Sequence, residues 1–143
     1  MTTDTNDTMP NKIVHVPART TQGYWFAECL FNFLVSGEES GGSYTTMELL
    51  IPPGKGAGLH VHDNEEEQFY VLEGELTYWV GDQTIHMSTG SFVHIPRGTT
   101  HGFTNGDTPA KLLATFSPAG IEKVFQEMGE LMNESTDDPW LRG

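Results

Sequence analysis

Residues 58–76 read "GLHVHDNEEEQFYVLEGEL". Two histidines stand two apart, three glutamates follow in a row, and the chain then turns strongly β. His60 and His62 have the same strand parity, so both imidazoles project from one face, about 6.6 Å apart along a strand. The turn "DNEE" reverses the chain, and Glu67 opens the next strand. Glu67, Phe69 and Val71 share a face of that strand, which sets a carboxylate above apolar side chains. Glu65 and Glu66 offer the same chemical group and compete with Glu67. Taken alone, the stretch reads as readily as a solvated turn as it does as half of a metal site.

The second half of the chain decides between them. Residues 90–105 read "GSFVHIPRGTTHGFTN". Pro96 and Gly98 form a turn that places His101 at the start of another strand. A third imidazole from a separate strand completes a set of three histidines and one carboxylate. Such nitrogen and oxygen ligands suit one divalent transition metal, Mn, Fe, Co, Ni or Zn, and leave one or two positions open. An open position belongs to catalytic rather than closed structural sites.

Around these stretches, short β-rich segments alternate with Gly and Pro punctuation. "TTMELLI", "QFYVLE", "ELTYWV", "TIHM", "SFVHI", "HGFTN" and "KLLATFS" follow one another at close spacing. Many short strands with such turns indicate an all-β antiparallel sandwich or barrel. The tail differs. Ser117-Pro118 reads as a helix cap with proline in the first turn. Ile121, Val124, Phe125, Met128, Leu131 and Met132 then recur at helical spacing, which predicts an amphipathic helix of about three turns. Three segments are expected: a polar lead-in over 1–20, the barrel over 21–117, and a helix with a frayed tail over 118–143, where Trp140 is the one anchor.

Composition narrows the function. Twenty acidic against seven basic residues give a formal charge of −13. Such a surface repels phosphate backbones and anionic lipid, which disfavours nucleic-acid binding and a peripheral membrane role. No apolar run reaches the ~20 residues of a membrane helix. The opening "MTTDTNDTMPNK" lacks the basic and apolar regions of a signal peptide, and a cytoplasmic protein is the expectation. The single cysteine, Cys29, forbids an internal disulfide and reads as a small buried hydrophobe. His15, His86 and His94 read as strand or surface residues outside the site. Tyr24, Trp25, Phe26, Phe31 and Phe33 read as core or dimer contacts.

The two histidine stretches resemble the motifs of the cupins. The first motif, G-x5-H-x-H-x3,4-E-x6-G, is filled by Gly54, His60, His62, Glu67 and Gly74. The second, G-x5-P-x-G-x2-H-x3-N, is filled by Gly90, Pro96, Gly98, His101 and Asn105. The spacing back from Gly74 selects Glu67 as the carboxylate and leaves Glu65 and Glu66 to a solvated turn. The resemblance implies a double-stranded β-helix, a jelly-roll barrel with the metal inside it, here followed by a C-terminal α-helix. Within the cupins the chain looks most like the quercetinase-like group, through "YWFAECLFNFLVSGEESGG", "PPGKGAGLHVHDNEEEQFYVLEGEL" and "SPAGIEKVFQEMGE". That likeness implies a metal-dependent dioxygenase that cleaves a flavonol or similar enolic aromatic small molecule with O2. Glu67 would serve as ligand and general base, and Phe69, Val71 and Phe103 as an apolar pocket wall. The alternatives are a non-oxidative isomerase or cyclase using the same ligands, and a small-molecule-binding protein without turnover. The resemblance also implies a homodimer.

Overall fold

The computed structural model describes residues 12–18, 23–128 and 130–131 of the chain. In chain order its elements are β1 (Gly23–Phe26), β2 (Cys29–Val35), α1 (Gly37–Ser40), β3 (Thr45–Ile51), β4 (Gly56–His60), β5 (Glu66–Glu73), β6 (Leu76–Val80), β7 (Gln83–Met87), β8 (Phe92–Ile95), β9 (His101–Asn105), β10 (Ala110–Ser117), α2 (Glu122–Met128) and β11 (Glu130–Leu131). They form a seven-stranded sheet in the order β11-β1-β2-β3-β10-β5-β8 and a four-stranded sheet in the order β4-β9-β6-β7. Every pairing is antiparallel. This is the double-stranded β-helix that the motifs implied. No helix among the described residues is long and apolar enough to cross a membrane.

Alternation drives the sheets together. Along β10, Ala110, Leu112, Ala114 and Phe116 are buried while the residues between them stay half-exposed. Along β5, Glu67, Phe69 and Val71 point inward, as their shared parity required. Phe69, Tyr78 and Phe103 meet in the core, with Tyr78 and Phe103 stacked at 5.1 Å between ring centroids. One period-2 face per strand facing the opposite sheet is the physical basis of the barrel.

Asn105, the last residue of the second motif, is structural. Its amide donates to the carbonyls of Ile51, Pro52 and Thr108, and its carbonyl accepts the Gly106 N–H. It thereby ties together the loops that follow β3 and β9.

The C-terminal part departs from the sequence reading in three ways. Ser117 does not cap a helix: it ends β10, paired with Glu66. The helix starts at Glu122, after Gly120 at φ 133°. It spans seven residues, two turns rather than three. Leu131 belongs to β11, where it pairs with Tyr24 of β1. Strand pairing has overridden the helical spacing there. Met132, Trp140 and the rest of the tail lie outside the described residues, as do residues 1–11 of the lead-in. The sequence reading also missed α1, which Ser36 and Glu39 open with a reciprocal capping box.

Glu122 fixes α2 to the body of the protein. Its carboxylate accepts hydrogen bonds from the Thr45 hydroxyl and from the backbone N–H groups of Gly37 and Gly120. Burial alone would raise its pKa, but these donors outweigh burial and hold it below the ordinary carboxylate value. Because the folded pKa is depressed, the stabilisation is complete above the ordinary carboxylate pKa and is lost as pH falls through the folded value. Glu122→Ala is expected to destabilise the fold by about 1–3 kcal/mol near neutral pH. Melting curves of the two proteins should converge as the medium is acidified below about pH 4; a constant difference in melting temperature would contradict this.

Candidate metal centre

The four candidate ligands come from four places that the barrel brings together. His60 ends β4, His62 lies two residues beyond it, Glu67 is the second residue of β5, and His101 opens β9. β4 and β9 pair with His60 opposite His101. The two strands approach closely where Gly102 faces β4: a Cβ there would stand 2.8 Å from the Ala57 carbonyl oxygen. The turn between β8 and β9 holds the first histidine stretch in place. Gly98, at φ 76°, donates its N–H to the His62 carbonyl at 2.9 Å, and Arg97 Nε donates to the Asn64 carbonyl at 3.0 Å. The two sequence motifs are therefore hydrogen-bonded to each other.

One ligand atom from each of His60, His62, Glu67 and His101 lies within 4.8 Å of the other three. His101 Nε2 is 2.8 Å, and His62 Nε2 3.5 Å, from Glu67 Oε2. The Nδ1 of every ring is committed elsewhere. His60 Nδ1–H donates to the Gly58 carbonyl at 2.6 Å, and His101 Nδ1–H to the Thr99 carbonyl at 2.9 Å. His62 Nδ1–H donates to Glu65 Oε1 at 2.6 Å. A proton held on Nδ1 leaves the Nε2 lone pair of each ring for the centre, which is the tautomer a metal requires.

The buried His101 Nε2 has no aligned hydrogen-bond partner despite its closeness to Glu67. Ligand atoms around an ion at bond lengths of about 2.0–2.2 Å fall near such separations from one another. The residues fit a divalent metal. Burial, reinforced by the neighbouring His101 and His62 rings, pushes the His60 pKa down and favours its neutral form. Burial also acts to lower the pKa of His101, but the Glu67 carboxylate and the Thr99 carbonyl outweigh it and raise it.

Glu65 corrects the sequence reading. The motif spacing leaves it with Glu66 in a solvated turn, yet its side chain is 13% exposed and bonded to His62. The parity of strand residues carried no information about a residue one step before the strand. The other histidines lie apart. His86 pairs with Thr77 and His94 with Gln68 at the surface, and His15 is exposed.

The cluster opens into a cavity of about 590 Å³. Phe69 and Phe103 line it, with Phe116 beside them. Val71 does not: it is fully buried further along β5, in the core and off the cavity wall. Phe26 and Phe31, read from sequence as core or dimer contacts, line the cavity, and Ile121, Val124 and Phe125 of the α2 region close its outer side. Phe125 stacks on Phe31 at 4.4 Å and meets Phe26 edge-on at 5.5 Å. The helical stripe is thus a pocket wall, a role that periodicity alone does not distinguish from core packing. Cys29 also lines the cavity; burial, with the nearby Glu28 charge, pushes its thiol up to about 12 and keeps it from acting as a thiolate.

Comparison with known proteins agrees with this architecture. The cupin domain family matches residues 47–116. Quercetin 2,3-dioxygenase of Aspergillus japonicus is 29% identical over 119 residues, 78% of this chain and 34% of that protein. The enzyme of the same name from Bacillus subtilis is 27% identical over 101 residues, 71% of this chain and 30% of that protein. The chain therefore spans about a third of the length of these relatives. Among solved structures, a predicted oxalate decarboxylase of Thermotoga maritima superposes with a TM-score of 0.68 at 22% identity, covering 74% of this chain and 98% of that one. The matched span contains both histidine motifs and the strands that carry them, so residues 47–116 match the cupin domain family, and the chain has a likeness to quercetin dioxygenases.

Proposed function

We propose that this protein is a metal-dependent dioxygenase that cleaves a flavonol-like or other enolic aromatic substrate with O2. The observation that carries the reading is the junction between the four-residue cluster and an apolar cavity whose described lining contains no lysine or arginine. Sites for small dicarboxylates or sugar acids generally supply a cation to pair the carboxylate. This cavity supplies aromatic faces instead, in the size range of pockets for drug-sized ligands.

His60, His62, Glu67 and His101 would hold the ion, which supplies Lewis acidity toward an enolic oxygen and a position for O2. The protein's own groups do the rest. Glu67, 2% exposed, offers a carboxylate able to accept the substrate's hydroxyl proton. Phe69, Phe103 and Phe116 would pack on the planar ring from the barrel side, and Phe125 and Val124 from the α2 side. Together they would exclude bulk water from the reacting face.

The test is oxygen uptake by apoprotein reconstituted separately with Mn, Fe, Co and Ni and offered a panel of flavonols in air. Uptake that needs both metal and flavonol is the expected result. Metal binding without uptake for any flavonol would overturn the flavonol reading and favour an isomerase or cyclase that does not depend on oxygen.

A further inference from the structure

We infer that Glu65 is a positioning residue for the metal centre, acting through His62, an inference that rests on the metal reading above. The three histidines are not equivalent. His60 and His101 each donate Nδ1–H to a backbone carbonyl, that of Gly58 and of Thr99, two residues before the ring itself. His62 alone donates to a carboxylate, at 2.6 Å. A carbonyl fixes the tautomer, whereas a carboxylate fixes it and also adds negative charge, making Nε2 a stronger donor to a cation. His62 also lies beyond the end of β4, so the sheet holds it less directly than His60 or His101. The Glu65 bond supplies the missing restraint.

The restraint is built into the fold. Both ends of the bond lie in the segment joining β4 to β5, and that segment is clamped at the His62 and Asn64 carbonyls by Gly98 and Arg97. Glu65 lines the same cavity as His62 and is largely shielded from water. Its neighbour Glu66 carries the same charge but belongs to β5, paired with Ser117. The centre therefore has one ligand of distinct strength, and its side of the ion differs electronically from the other two.

The test is Co(II) titration, followed by the visible d–d spectrum, of the parent and of Glu65→Ala, Glu65→Gln and Glu66→Ala, each checked for parental circular dichroism. Glu65→Ala is expected to weaken Co(II) binding by about 10–100-fold and to shift the d–d bands. Glu65→Gln, whose amide oxygen still accepts Nδ1–H but carries no charge, should fall between the parent and Glu65→Ala, and Glu66→Ala should match the parent. Parental affinity and spectrum in Glu65→Ala would overturn the inference, as would equal losses in Glu65→Ala and Glu66→Ala, which would reduce the effect to net charge. Failure of the parent itself to bind Co(II) would instead overturn the underlying metal reading.

Discussion

Replacing His101 with alanine is expected to abolish metal binding and, with it, oxygen uptake. His101 is 1% exposed, stands 2.8 Å from Glu67, and has its ring 4.4 Å from that of His60. No other described side chain can take its place, because the nearest candidates, Glu65 and the Nδ1 atoms of the other rings, are already bonded. Loss of a direct ligand should exceed the 10–100-fold effect typical of an outer partner, so affinity is expected to fall by about a thousandfold or more. His94→Ala provides the control: it removes the same group from an exposed site where the ring pairs with Gln68, away from the cluster. Calorimetric titration with Mn(II) or Co(II) distinguishes the two variants. Equal binding by His101→Ala and His94→Ala would place the ion elsewhere.

Glu67→Gln separates two roles that the geometry joins. The carboxylate lies against His62 and His101 and also lines the cavity where substrate would sit. Glutamine keeps the volume and one ligating oxygen but cannot accept a proton. Turnover is expected to fall by about 10²–10⁴-fold, the usual contribution of a general base, while metal binding weakens less than in His101→Ala. Retained metal with lost turnover identifies the base. Loss of metal comparable with that in His101→Ala would identify Glu67 as essentially a ligand.

Much of this was legible in the chain before folding. Short β-rich segments between Gly and Pro turns marked β3 and β5 to β10, since alternation of that kind is the physical requirement for a sheet with one buried face. The motif spacing marked the four-residue cluster, although strand parity is not its cause: His62 lies beyond the end of β4. What escaped reading depended on tertiary partners. Glu65 looked like a solvated acid until His62 turned its Nδ1 toward it. Phe26, Phe31 and Phe125 pack in the core cluster and also line the cavity, because an apolar side chain facing a cavity and one facing a packed neighbour give the same sequence signal. Val71 shared the parity of Glu67 and Phe69 but lies too deep to reach the cavity. Leu131 fitted the helical period by coincidence; β1 offered an open edge, and pairing with it satisfied backbone groups that a third helical turn would have satisfied internally.

The most direct measurement is anomalous diffraction at the cobalt edge from a crystal grown with Co(II). A single peak is expected about 2.0–2.3 Å from Nε2 of His60, His62 and His101 and from a carboxylate oxygen of Glu67. A peak bound by other residues, or none in a crystal containing excess Co(II), would contradict the assignment of these four side chains as the metal centre.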